Sequence, residues 1–170
     1  MLSQQSKRLL ELVENLLDLS RLEADSIRIA PTRIDVAERL AAIVDAAAGR
    51  EVTLEVPDDL EAVVDPGAFD RIVSNLLTNA IRHGAPPIVV SASRRSEELQ
   101  VTIEDRGSGV AQEFVSSLFE RFTRGATESS EGAGLGLSIA QSFTRAHGGS
   151  LTYEPAEPHG ARFKLVLPTS

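Results

Sequence analysis

Apolar residues recur along this chain with two different periods. From Leu2 to about Ala24, Leu9, Leu12, Val13, Leu16 and Leu19 return at alternating three- and four-residue steps. Lys7, Arg8, Glu11, Glu14 and Asp18 fill the positions between, which predicts a helix with a long, narrow apolar seam. That seam either packs on the domain that follows or pairs with a helix from elsewhere, the second being preferred. Ser26–Val36 reads as a linker entering a short strand, broken by Pro31, and a second helix is expected from about Ala37 to Ala48. Glu51–Val56 and Ala62–Asp65 then read as strands around a Pro-Asp-Asp turn. Pro66 opens a helix reaching His83, which Gly84 and the Pro86–Pro87 pair terminate. Ile88–Arg94 and Leu99–Asp105 alternate with period two and predict an antiparallel hairpin. Ala111–Leu118 reads as a short helix, and Thr123–Gly134, rich in Gly, Ser, Thr and charge, as a mobile loop. Leu135–His147 is an amphipathic helix closed by Gly148–Gly149, and Ser150–Glu154 with Ala161–Leu167 form a last hairpin. The sum is an α+β sandwich of two layers: a mixed, mostly antiparallel sheet with helices on one face.

Composition narrows this picture. The 170 residues suit one compact domain plus an extension, and 42% hydrophobic with 25% charged residues is ordinary for a soluble globular chain. Six Phe, one Tyr and no Trp leave the core to Leu, Ile, Val and Ala. The absence of Cys excludes disulfides, thiolate metal sites and a cysteine nucleophile. A net charge of −8 without a Lys/Arg run argues against nucleic-acid binding, which needs a basic face. No apolar stretch approaches the roughly 20 residues of a membrane span, and no signal peptide is visible. Met1 opens directly on the helical pattern, so the chain is expected to be a piece of a longer protein.

Three segments carry candidate chemistry. In Asp70–His83, Ile72, Val73, Leu76, Leu77, Ala80 and Ile81 form a wide apolar arc, while Asn75 and Asn79 sit one turn apart outside it, followed by Arg82 and His83. A solvated polar face is the plain reading of one such Asn. The pair followed by two potential cations favours hard chemistry: an amide oxygen suits Mg²⁺, and Arg82 and His83 suit phosphate. Asp105 shares the parity of Leu99, Val101 and Ile103, which directs a carboxylate towards the apolar side of a sheet. It closes a turn there or accepts from an amino-bearing heterocycle such as adenine, with Gly107 and Gly109 allowing close approach. Gly132-Ala-Gly134-Leu135-Gly136-Leu137 runs into a helix and is either a flexible hinge or a phosphate cradle. It is not a P-loop, because no Gly-Lys-Ser/Thr follows.

The order of these segments resembles the Bergerat-type ATP-binding fold shared by sensor histidine kinases, DNA gyrase B, Hsp90 chaperones and MutL. The histidine kinases match best. Asn75-Leu-Leu-Thr-Asn79-Ala-Ile-Arg82-His83 looks like their N box, and Asp105-Arg-Gly107-Ser-Gly109 like the first glycine box. Leu118-Phe119-Glu-Arg-Phe122-Thr-Arg124 is similar to the F box, and Gly132–Leu137 to the second glycine box. The likeness spans roughly Asp35 to Pro168. Ala161, after the Gly160 of the third glycine box, departs from the family by lacking a hydroxyl, which puts one water-bridged adenine contact in doubt.

The resemblance implies ATP and Mg²⁺ as cofactors, with Asn79 the metal ligand and Asn75, Asn79 and Arg124 at the transferring phosphoryl group. Arg82, His83, Asp105, Gly107, Gly109, Val110, Phe122, Gly132, Gly134, Leu135, Gly136 and Leu137 complete the implied nucleotide surface, Phe119 and Phe122 anchoring the lid. The gyrase, Hsp90 and MutL branch has a water-activating Glu where Asn75 stands. An Asn cannot take a proton from water at neutral pH, so hydrolysis is disfavoured and a kinase is expected. Residues 1–30 resemble the end of the kinases' dimerisation domain with its linker, and 31–170 the catalytic domain. The phosphoacceptor helix is missing: His83, His147 and His159 are each followed by Gly, not by an acidic residue. Implied partners are the chain's own dimerisation domain and a response regulator, the whole protein being a homodimer. The fragment is expected in the cytoplasm, with the whole protein anchored in the membrane. The alternatives are a non-catalytic nucleotide-sensing module and a serine kinase of an anti-anti-sigma factor.

Overall fold

The computed structural model describes residues 4–23, 27–47, 51–122 and 134–169. Its elements run α1 (Gln4–Glu23), β1 (Thr32–Asp35), α2 (Val36–Ala46), β2 (Val52–Glu55), β3 (Glu61–Val64) and α3 (Pro66–His83). Then follow β4 (Ile88–Arg95), β5 (Glu98–Glu104), α4 (Gln112–Val115), α5 (Gly136–Ala146), β6 (Ser150–Pro155) and β7 (Ala161–Pro168).

A five-stranded sheet, ordered β2-β4-β5-β7-β6, forms one layer. Only β2–β4 is parallel, while both predicted hairpins, β4–β5 and β6–β7, are antiparallel neighbours. Alternation along the strands decides the faces. Val90, Leu99, Val101, Ile103, Phe163, Leu165 and Leu167 are buried, whereas Ser91, Thr102, Glu104 and Lys164 are half-buried. The buried face meets Phe69, Ile72, Val73, Leu76 and Leu77 of α3 and Ala140 of α5 in one core. Each such side chain contributes about 1.5–3 kcal/mol by leaving water.

Two aspartates fix the helix starts. Asp35 accepts from Glu38 N–H at 2.8 Å and caps α2. Asp65 caps α3 through Ala68 N–H at 2.8 Å, with Pro66 at the first helical turn, where its missing N–H has no helical partner in any case. The other Asp65 oxygen accepts from Ala30 N–H, and the Asp65 N–H donates to His147 Nε2 at 3.0 Å. One residue thus joins the linker, the start of α3 and the end of α5.

Two expectations need correction. The Pro-Asp-Asp turn does not fold β2 back on β3: β3 pairs with β1 in a separate two-stranded sheet, and β2 goes to the edge of the main sheet beside β4. Parallel neighbours need a crossover, which β3 and α3 supply. The helix expected to reach Leu118 ends at Val115, because Ser117 N–H bonds Phe114 O and Leu118 N–H bonds Val115 O, tightening the chain into turns.

Candidate functional site

The site is built along α3. Arg71, Asn75, Asn79 and His83 recur every four residues and so form one ridge. The ridge borders a cleft of about 750 Å³ whose other walls are Ile43, Ala46 and Ala47, Leu118, the Gly134–Leu137 segment, and Leu10, Glu14 and Asn15 of α1. That volume falls in the range of small-molecule sites. Arg82 and Thr78 also line it.

Asn75 is the informative member. Its side-chain Nδ2 is buried and has no hydrogen-bond partner among the described residues. A Cβ on Gly136 would stand 3.4 Å from Asn75 Oδ1, so the glycine that opens α5 packs directly on this amide. Leu135, the residue capping α5, contributes no side-chain hydrogen bond to the helix start. The first N–H groups of a helix lack partners within it, so this end of the cleft presents donors: an amide NH₂ and the start of a helix. Donors converging on one space call for an anionic or acceptor-rich occupant.

Arg82 and His83 sit in the last turn of α3, where cations complement the helix field. Both are exposed residues. Partial desolvation, and then the adjacent Arg82 charge, hold the His83 pKa below its ordinary 6.5, so the ring is neutral at pH 7. Among the described residues no group of three His, Cys, Asp or Glu gathers, so no all-carboxylate cage exists for a metal there. A divalent ion in this cleft would take its protein oxygen from an amide such as Asn79, with other ligands from an anionic ligand or water.

Asp105 lies beyond the end of α3, outside the residues that line the cleft, and is only 3% exposed. Its Oδ1 accepts from Gly107 N–H at 2.8 Å. Three glycines make room for it. A Cβ on Gly84 would overlap Asp105 Cγ and stand 2.6 Å from Ala80 O, while one on Gly160 would overlap Asp105 O. Gly107 approaches Gly84 so closely that an added Cβ would lie 2.9 Å from Gly84 Cα. The Gly84 backbone, at φ −91°, is open to any residue, so glycine serves space there and not conformation. Arg106 N–H bonds Ala85 O at 2.9 Å, Tyr153 Oη accepts from Val110 N–H at 3.1 Å, and Gly109 takes φ +72°. The Asp105–Val110 loop is thereby strapped to the end of α3 and to β6.

Of the two phenylalanines expected to anchor a lid, Phe119 packs edge-on against Phe163 with ring centroids 6.3 Å apart. Phe122 is instead 66% exposed with φ +62°, and only its N–H reaches back, to Gly134 O at 3.0 Å. Arg124 and Gly132 lie outside the described residues. The structure therefore brings Asn75, Asn79, Arg82, His83, Gly134, Leu135, Gly136 and Leu137 to one cleft, with Asp105, Gly107, Gly109 and Val110 tied behind its end. Sequence reasoning missed Arg71 and Thr78, which four-residue spacing from Asn75 and helical adjacency to Asn79 could have found. It also missed the α1 wall, for which no local signal exists.

Comparison with known proteins follows the same lines. Residues 64–170 match the family model described as histidine kinase-, DNA gyrase B- and HSP90-like ATPase. The signal transduction histidine-protein kinase AfsQ2 of Streptomyces coelicolor is 38% identical, across 96% of this chain and 31% of that protein. The sensor histidine kinase component HK1 of Mycobacterium tuberculosis is 37% identical, across 73% of this chain and 74% of its own length. Among solved structures, full-length ShkA in complex with AMPPNP superposes with a TM-score of 0.83 at 26% identity, across 98% of this chain and 37% of that one. The chain thus spans about a third of AfsQ2.

Proposed function

This chain belongs to the histidine kinase-, DNA gyrase B- and HSP90-like ATPase family, and from that membership we propose that it is the ATP–Mg²⁺-binding catalytic region of a sensor histidine kinase. The whole protein would transfer the γ-phosphoryl group of ATP to a histidine on a dimerisation helix, and from there to a response regulator. The observation that carries this reading is Asn75, whose buried Nδ2 has no partner among the described residues and whose Oδ1 lies against the glycine start of α5.

The roles follow from position. Asn79 offers an amide oxygen for Mg²⁺, which when bound neutralises phosphate charge and orients the transferring group. Asn75 would donate its amide NH₂ to a phosphate oxygen, and being an amide it would not deprotonate a water nearby. The start of α5 receives phosphate oxygens, Arg82 adds positive charge, and neutral His83 adds a polar edge. Asp105 accepts from the adenine amino group at the other end. Arg124, Gly132 and Phe122 complete the phosphate side in this proposal. Catalysis then rests on positioning and charge stabilisation, with hydrolysis disfavoured because an amide stands at Asn75, where a base would have to take the proton.

Titration of a fluorescent ATP analogue with and without Mg²⁺ tests this. The parent binds more tightly with Mg²⁺, Asn79→Ala loses that gain, and Asp105→Ala weakens binding roughly tenfold, or about 1.4 kcal/mol. If both variants bound like the parent, the assignment would fail. Adding a separate fragment that bears an acceptor histidine then distinguishes a kinase, which labels it, from a nucleotide-sensing module, which does not.

A further inference from the structure

One turn before Asn75, α3 carries Arg71, and α1 converges on it. Arg71 Nε forms a short ion pair with Asp18 Oδ2, its Nη1 approaches Glu14 Oε2 at 3.3 Å, and its Nη2 donates to Asn15 Oδ1 at 3.2 Å. The Asp18 side chain is 8% exposed and that of Arg71 23%, so this pair is largely shielded from water, whereas Glu14 at 49% is open to it. A planar guanidinium that engages acceptors from two successive turns fixes the orientation of a helix as well as its distance. Glu14 and Asn15, with Leu10, also form the α1 wall of the cleft. Leu9, Leu12, Val13, Leu16 and Leu17 stay exposed, so among the described side chains of α1 little apolar burial holds it where it is.

We propose that Arg71 is a positioning residue that seats α1 across the mouth of the nucleotide cleft, so that a bound nucleotide escapes more slowly while the clasp is closed. The proposal rests on the nucleotide reading above. With the helix seated, the cleft gains a wall and Glu14 keeps a cationic partner beside a site for anions. With the clasp broken, the wall is lost, and Glu14 and Arg71 no longer compensate each other beside the site. A nucleotide that binds better in the seated state must in turn favour that state, since linkage is reciprocal.

The test uses the full 170-residue chain. Dissociation of a fluorescent ATP analogue with Mg²⁺ is followed by stopped flow, alongside amide hydrogen exchange over α1. Asp18 does not line the cleft, so Asp18→Ala removes the most buried of the three clasp contacts without removing a ligand contact. Expected are lost protection in α1 and a several-fold faster release, with Asp18→Glu restoring both because its carboxylate reaches the same guanidinium. A purely structural clasp would change α1 protection alone. Lost protection with parental release overturns the proposal, and so does retained protection in Asp18→Ala. Should Asp18→Ala disturb exchange in α3 and α5 as well, Asp18→Asn, which keeps the shape and removes the charge away from the cleft lining, carries the same comparison. A parent that binds no analogue overturns the nucleotide reading and this coupling together, while exchange still reports whether Arg71 seats α1.

Discussion

At Asn75 a buried amide NH₂ lacks an acceptor, whereas at Asp105 a buried carboxylate is already engaged by Gly107 N–H. In the proposed site the first residue would meet a ligand that supplies acceptors, the second one that supplies a donor. Unsatisfied buried groups are costly, at about 1–3 kcal/mol, so filling the Asn75 end should stabilise the fold as well as bind the ligand. The period-two alternation of β5 made the burial of Asp105 legible in the sequence. The reason for Gly84 was not: a glycine after a helix reads as a stop signal, and only the approach of Asp105 across the sheet shows that it is there for space. Gly84→Ala should therefore destabilise the fold by about 1–3 kcal/mol through overpacking, measured by urea unfolding, and should weaken nucleotide binding with it. His83 sets a pH dependence. Its folded pKa lies below 6.5, so as pH falls through that value the unfolded chain takes up the proton first and stability drops. Unfolding at about pH 7.5 and about pH 5.5 should show a larger loss for the parent than for His83→Gln. An equal loss in both would remove His83 from this account.

Among the elements, α3 does most of the positioning, since its apolar arc sits in the core and its polar ridge borders the cleft. Both sides were readable from a 3.6-residue period, and so were the two hairpins from alternation. The edge strand was not. Pro57-Asp58-Asp59 has the chemistry of a tight turn, and local turn residues say nothing of a partner that arrives after another strand and a helix. The fate of α4 was hidden for a similar reason, since Phe119 is placed by its ring contact with Phe163, far away in sequence. Asp65 shows how one cap can serve several elements. Asp65→Ala removes acceptors from both Ala68 N–H and Ala30 N–H, and should cost about 1–2 kcal/mol in thermal or chemical unfolding. A variant as stable as the parent would show that neither bond matters.

For the whole molecule, the notable asymmetry is between a buried apolar core and a helix that shows its apolar seam to solvent. Leu9 and Leu16 are 64% and 61% exposed. If the chain is the kinase region proposed above, that seam would meet a dimerisation partner. Replacing Leu9 and Leu16 by Lys should leave affinity for the ATP analogue unchanged and abolish phosphotransfer to a separate acceptor fragment. Transfer at the parental rate would exclude the seam from that role. The seam itself was legible from spacing, and so was the choice it posed. That one helix could turn its leucines outward while lending Glu14 and Asn15 to the cleft was not, because the two faces answer to partners in different parts of space.

The crowding around Asp105 bears on how this protein could be selectively inhibited. That end of the site is shaped by main chain at Gly84, Gly107 and Gly160, positions where no side chain fits. Relatives that keep the same glycines would present a compound with nearly the same surface there, and resistance by substitution would come at the expense of the fold. The α1 wall is different: Leu10, Glu14 and Asn15 contribute side chains, which can vary without disturbing the core. A ligand anchored at Asp105 for potency and extended towards Glu14 for discrimination would draw on both.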